Sequence, residues 1–414
     1  VPGLFSRFRG RILIFLAVLG PGFVTAVVDN DSGGIYTYSQ AGARWGYLPL
    51  WTLLPITVAL IVTQEMCSRM GAVTGKGLSD LIREEFGLRI TFFIMIGLVF
   101  LNLTNIMAEF AGVATSLDLF GVSKFISVPL AGVLVWFVAV KGNYQSVEKI
   151  FLFACVIYIA YVIAGFLVQP DWKQAMIYSI RPKLMLDSGY IAMLIAMVGT
   201  TIAPWMQFYL QAAVVEKGIT ASEYRESRIE VIVGCFMTSV IAFFIIVACA
   251  GAYRDHPTDI QSAKEAALAL KPFGEYTFLL FSAGLLNASV FAACILPLST
   301  AYSVCEGLGF ESGVNHRWRE APVFYWLYTL LIVVGAGIVL LPRFSMVQMI
   351  LLSQVLNGML LPVILIFMLL LINRKNLMKE WINPPAYNVV AWTTVAIVIG
   401  MTLALTGITI RNPQ

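Results

Sequence analysis

Two carboxylates stand two residues apart in V-V-D-N-D-S-G-G, residues 27–34. They lie in an apolar stretch from Ile12 to Trp51 whose only charged residues are Asp29, Asp31 and Arg44. An ionisable residue at membrane depth marks a functional site by default, because lipid penalises it. A protease-like pair would need acids facing each other from separate segments. Asp29 and Asp31 share one segment, and no second embedded Asp motif accompanies them. The chemistry left to them is holding a cation, so no enzyme activity, catalytic residue or cofactor is expected. A second polar run in apolar surroundings, G-T-T-I-A-P-W-M-Q-F at 199–208, offers the amide oxygen of Gln207 one turn after Pro204. That amide could serve a hydrated ion or equally a hydrogen bond between helices.

The rest of the chain sets the medium. Of its 414 residues, 59% are hydrophobic and 12% charged, against about 25% charged in soluble proteins. Apolar runs recur at the roughly 20 residues that span a bilayer. Eleven spans are expected: 12–45, 47–70, 90–120, 125–141, 149–169, 187–215, 228–253, 275–308, 321–342, 346–373 and 388–410. The fold class is therefore an all-α polytopic membrane protein whose partner is the lipid bilayer, expected to act as a monomer. The formal charge of +4 is scattered over short loops, which argues against nucleic acid. The six cysteines lie mostly in apolar runs without paired spacing and read as buried thiols. His256 and His316 fall in polar connections. No cleavable signal peptide is expected. With the N-terminus cytoplasmic and the C-terminus outside, seventeen of the twenty-seven basic residues lie inside, as the positive-inside rule requires.

Two spans are irregular. The first, about 34 residues, would measure about 51 Å as one helix, and its D-N-D-S-G-G is poor helix-forming material. The sixth carries Pro204 near its middle. Unwound backbone at membrane depth is tolerated only inside protein or beside a wet cavity. Interruptions of helices 1 and 6, at matching places in two five-helix halves, point to an inverted-repeat transporter with its site at the midplane. The halves are expected at about 12–169 and 187–373, with a peripheral helix 11 at about 388–410, in one transmembrane domain spanning 1–414. An amino-acid carrier of the same architecture is a rival, but Asp31 would repel a substrate carboxylate.

The stretches around these breaks resemble the Nramp (SLC11-like) family of divalent-metal transporters. G-P-G-F-V-T-A-V-V-D-N-D-S-G-G-I-Y-T-Y-S-Q-A-G-A-R-W-G-Y (20–47) is similar to its first helix, and Q-E-M-C-S-R-M-G-A-V-T-G-K-G-L-S-D-L-I-R-E-E-F-G (64–87) to the region after its second. A-E-F-A-G (108–112), N-Y-Q-S-V-E-K-I (143–150) and S-Q-V-L-N-G-M-L-L-P-V-I-L-I (353–366) resemble stretches of helices three, five and ten. The resemblance implies the LeuT-like 5+5 fold and a divalent-cation substrate. It implies Asp31 as a ligand, directly or through water; the residue-level alternative is a cap for the half-helix that follows.

The resemblance further implies backbone carbonyls from Thr200 and Ala203, with Gly34 where the family has an Asn ligand. Ala203 and Trp205 stand where it has Met and His, and Trp205 is expected to fill the histidine's space. Glu109 matches an acid of the proton route, while Ile106 replaces another; Gln354 matches the helix-ten glutamine. Asp29 and Asn30 are weaker candidates. These departures resemble the magnesium-carrying branch, and chemistry agrees: thioether suits softer metals, whereas Mg2+ keeps several waters and touches one or two carboxylates. The expected cargo is Mg2+, and also Mn2+, in a prokaryotic cell membrane and without proton coupling. The nearest rival is a proton-coupled Mn2+/Fe2+ carrier. Glu65, Asp80, Arg83, Glu84 and Glu85 are expected to be solvated at the interface, with a gating network as the alternative.

Overall fold

The computed structural model describes residues 20–411 apart from 142–143, 255, 261–262, 271–273 and 342–345. The expected start of the first span at 12–19, and Arg7, Arg9 and Arg11, lie outside the described residues. The first span is two helices, α1 (Pro21–Val27) and α2 (Ser32–Trp45). There follow α3 (Leu53–Thr74), α4 (Leu78–Phe86), α5 (Leu88–Asp118), α6 (Lys124–Lys141), α7 (Tyr144–Ile157), α8 (Ile159–Leu167) and α9 (Trp172–Ile180). The sixth span is also two helices, α10 (Ser188–Thr201) and α11 (Pro204–Glu216). The second half continues with α12 (Tyr224–Ala252), α13 (Ala263–Ala269), α14 (Glu275–Leu308), α15 (Pro322–Val339), α16 (Met346–Ile372), α17 (Lys375–Met378) and α18 (Pro385–Arg411).

Among the described residues eight helical spans are long and apolar enough to cross a membrane, counting Ser188–Glu216 as one. The other three expected spans have different shapes. The first is split, the fourth is short (Lys124–Val138), and the fifth bends by 115° into α9. Four helices were not expected: α4, α9 and the short α13 and α17. Helix α4 is a nine-residue amphipathic piece that buries Leu78, Leu81 and Ile82. Helix α9 starts where Asp171 accepts from the amide of Gln174 at 3.0 Å.

Why the two spans break is local. Asp29 and Asn30 amides reach back only three residues, to Ala26 and Val27 at 3.4 and 3.3 Å, which tightens the last turn before the ladder stops. The next helix starts at Asp31, extended at φ −70° and ψ −175°, with its side chain as cap. In the sixth span Ala203 is the extended residue and Pro204 takes the first helical position, where the missing N–H costs nothing. Pro129, Pro297 and Pro362 lie inside continuous helices, so proline alone does not make a break here.

The split helices pack crosswise: α1 lies against α11, and α2 against α10. This is the pairing expected of two antiparallel broken helices. Helices α5 and α14 form the most extensive pair in the fold, and α12 backs α1, α2 and α3. Helices α10 and α16 cross where Gly199 meets the Gln354 carbonyl and Gly358, a small-residue contact that lets backbones touch. A Cβ at Gly199 would stand 2.8 Å from the α-carbon of Gly358, with backbone and no flexible side chain to yield. Gly199→Ala should therefore lower the melting temperature, although Ala is the better helix former by about 1 kcal/mol; overpacking costs about 1–3 kcal/mol. An unchanged or raised melting point in detergent would show that the crossing is looser than described.

Candidate cation site at the helix breaks

Asp31 does two things at once. Its Oδ1 accepts from the Gly34 amide at 2.7 Å, so the capping alternative holds. Its carboxyl also neighbours that of Glu109 on α5, which binds the adjoining residue, Ser32. Glu109 Oε2 accepts from the Ser32 amide at 3.1 Å, and the Ser32 hydroxyl donates to the Ala108 carbonyl at 2.9 Å. The first amides of α2 are thus satisfied by two acids, which suits the positive end of a helix. Neighbouring buried carboxyl groups are relieved by a proton or a cation. Asp29, Asp31 and Glu109 are all within 4% of full burial, so the site is closed to both sides in this conformation.

Asp29 is 1% exposed, and neither carboxylate oxygen has a hydrogen-bond partner. Asn30 donates to the Thr238 carbonyl of α12 at 3.2 Å, leaving its Oδ1 unpartnered. Thr238 in turn bonds the Ala26 carbonyl, so the end of α1 is tied to α12. Glu109 Oε1 and the Thr200 hydroxyl are likewise buried without partners. Thr200 stands beside Gly34: a Cβ there would lie 3.2 Å from Thr200 Oγ1 and 2.8 Å from the Asp29 carbonyl. The side chain of Gln354 on α16 lies flat against Gly33, where any Cβ would overlap its amide nitrogen.

The structure therefore brings together Asp31, Gly34, Thr200, Glu109 and Gln354, with Asp29 and Asn30 on the same segment. Gln207 and Ala203 are engaged with each other. Gln207 Nε2 donates to the Ala203 carbonyl at 3.2 Å, which also accepts from the Met206 amide at 3.1 Å. Gln207 Oε1 receives Gln64 Nε2 at 3.5 Å and Cys67 Sγ at 3.4 Å from α3. In this conformation the Ala203 carbonyl and the Gln207 amide are in use, unlike the Thr200 hydroxyl. Trp205 is buried beside Tyr209, as expected of a space-filling residue. Ile106 packs on Gly335 of α15.

Sequence reasoning missed Ser32, Asn105 and Asn357. Asn102, Asn105 and Glu109 recur at the i, i+3, i+7 spacing of one helix face, a signal that was there to be read. Among the described residues no three His, Cys, Asp or Glu side chains converge as around a resident metal. The donor set is acids plus neutral oxygens.

Both ends of the bundle are closed over the site. At one end residues 258–260 lie along α2: Gln40 donates to Asp259 at 2.6 Å, Arg44 pairs with Asp259, and Tyr36 donates to the Ile260 carbonyl at 2.8 Å. At the other end Glu65 is buried, contrary to the solvated placement expected for it. It pairs with Arg69 at 3.2 Å and accepts from Tyr224. Arg69 also reaches Asn383 and the carbonyls of Trp381 and Ile382. Asp80, Arg83, Glu84 and Glu85 are partly exposed, paired respectively as Arg83–Asp80, Lys76–Glu84 and Arg374–Glu85.

The cap that Asp31 forms and the ligand role expected of it separate experimentally. Asn caps a helix as well as Asp, so Asp31→Asn should melt close to wild type and still lose divalent-cation binding. Asp31→Ala should lose binding and about 1 kcal/mol of stability besides. Calorimetric titration with undiminished binding by Asp31→Asn would leave Asp31 a cap alone.

Comparison with known proteins places this geometry. A family model described as Nramp, natural resistance-associated macrophage protein-like, matches residues 22–407. The "Divalent metal cation transporter MntH" of Deinococcus radiodurans is 25% identical over 407 residues, covering 94% of this chain and 89% of that protein. A manganese transporter of Eremococcus coleocola superposes with a TM-score of 0.72 at 21% identity, covering 96% of this chain and 89% of the other. Mhp1, a nucleobase-cation-symport-1 family transporter, shares the fold at a TM-score of 0.60 and 14% identity, over 95% and 94% of the two chains.

Proposed function

The chain belongs to the Nramp family, and from that footing we propose that it carries Mg2+, and also Mn2+, as a partly hydrated ion down its electrochemical gradient without a coupled proton. Its relatives' names, a divalent metal cation transporter and a manganese transporter, support the class of cargo. It would act as a monomer of two inverted repeats in a prokaryotic membrane, N-terminus inside, as the distribution of basic residues supports.

The observation that carries the reading is the set of buried oxygens left without partners at the break. These are both oxygens of Asp29, Oδ1 of Asn30, Oε1 of Glu109 and the Thr200 hydroxyl. A buried acceptor without a donor is costly, and waters held on a cation supply donors in every direction. Mg2+ usually keeps several waters while touching one or two carboxylates. Asp31 and Glu109 provide those acids, and Ala203 offers no sulfur to favour a softer metal. The positions where the family places Met and His are filled by Ala203 and Trp205, and Ile106 is packed in hydrocarbon. No titratable side chain stands at any of the three.

Coupling to protons is not needed for accumulation. Two charges crossing about 100 mV gain about 4.6 kcal/mol, roughly a thousandfold in concentration. The second reading, a proton-coupled Mn2+/Fe2+ carrier, has Glu109 in its favour. Proteoliposomes with an internal pH dye distinguish the two. Mg2+ uptake should proceed at an unchanged internal pH and be lost in Asp31→Ala. Stoichiometric acidification during influx would establish the second reading instead.

Selectivity has its own test. Restoring Asn at Gly34 would press its Cβ to 2.8 Å from the Asp29 carbonyl, so that substitution disturbs the break itself. Ala203→Met is the cleaner change. It should strengthen binding of Cd2+ over Mg2+ by about tenfold or more, since thioether sulfur rewards soft ions. Isotherms for the two metals that move in parallel would show that the missing sulfur does not set selectivity.

A further inference from the structure

Three neutral amides form a chain that ends at the unwound segment. Asn105 of α5 and Asn357 of α16 exchange hydrogen bonds: Asn105 Nδ2 donates to Asn357 Oδ1 at 3.2 Å, and Asn357 Nδ2 to Asn105 Oδ1 at 3.1 Å. Asn357 Nδ2 also donates to Gln354 Oε1 at 3.1 Å. All three side chains are buried. A side-chain amide nitrogen carries two protons, and both of Asn357's are used. The oxygen of Gln354 is thereby held toward Asn357, and its nitrogen is the end that faces the break. That nitrogen packs on Gly33, too close to leave room for a Cβ there.

The direction of this amide decides its chemistry. Its oxygen would be a direct ligand for a cation, whereas its nitrogen can only donate, and here it donates to the Ser353 hydroxyl at 3.4 Å. We infer that Asn357, braced by Asn105, is a specificity-determining residue that withholds the Gln354 oxygen from the transported ion. The inference rests on the divalent-cation reading above. An ion denied that oxygen keeps a water in its place. Mg2+ sheds water reluctantly and accepts this arrangement; Mn2+, higher in the affinity order for protein ligands, forgoes a ligand it would otherwise gain. Asn357 touches no ion in this scheme. It acts through the glutamine as a positioning residue.

The test is a mutant cycle read as a ratio of two metals. Asn357→Leu removes the donor at similar volume and frees Gln354 to turn its oxygen inward. In calorimetry on the full chain in detergent, the Mn2+ dissociation constant should fall relative to that of Mg2+ by about two- to tenfold, the scale of one redirected polar contact. Asn357→Ser, whose hydroxyl is too short to hold Gln354, should shift the ratio in the same direction and serves should the leucine compromise folding. In a Gln354→Ala background both substitutions should leave the ratio where Gln354→Ala alone puts it. A purely structural role would weaken both metals together, with or without Gln354. The inference is overturned if wild type binds both metals and the ratio is unmoved in both Asn357 variants, or if the shift persists without Gln354. A wild type that binds neither metal overturns the cation reading, and this inference with it.

Discussion

Polar backbone that leaves its helix inside a membrane protein must find partners there, because neither lipid nor bulk water will supply them. This constraint organises the centre of the fold. Between Val27 and Ser32 the helical ladder lapses, and the freed amides are taken up by acids: Gly34 by Asp31, and Ser32 by Glu109. The caps of the restarted helix are therefore the anionic groups of the site. Structure and charge are bought with the same two side chains. The rest of the first break is tied to α12 through Asn30 and Thr238, so the segment is irregular but anchored, with the Asp29 carboxylate left unpartnered.

Much of the fold then follows from keeping two such breaks side by side. The half-helices pair crosswise, α10 and α16 meet through glycine, and the long helices α5 and α14 form a wall that presents Glu109. At the break, the groups left without partners are the oxygens of Asp29, Asn30 and Glu109 and the Thr200 hydroxyl, every one able to accept. A site whose unsatisfied groups are of one polarity is poised for something of the other, and here that is a cation with its waters.

The apolar runs and the D-N-D-S-G-G interruption were legible because lipid imposes length and polarity rules on sequence. Asp31 stood out for the same reason. Helix α4 was not legible as an element, since nine amphipathic residues between spans look like a charged loop until Leu78, Leu81 and Ile82 find a surface to dock on. Glu65 looked solvated because its partner Tyr224, and Asn383, which binds its neighbour Arg69, are far away in the chain. The engagement of Gln207 with Gln64 and Ala203, and the amide pair of Asn105 and Asn357, are matters of side-chain direction between distant helices. Periodicity can put Asn102, Asn105 and Glu109 on one face, but it cannot say what that face meets.

The two closures over the site differ in how easily they let go. The Arg44–Asp259 pair is 42% and 46% exposed, and an ion pair in that setting holds by about 0.2–1 kcal/mol. Arg69 and Glu65 are 6% and 1% exposed. Pulling Asn383 and Tyr224 away from them strips hydrogen bonds from charged groups, each worth about 1.5–3 kcal/mol. The ion pair at one end is thus open to salt, and that at the other is not. Raised ionic strength should therefore loosen the hold of residues 258–260 on α2 as far as the Gln40 and Tyr36 hydrogen bonds allow, and leave the Glu65–Arg69 end unchanged.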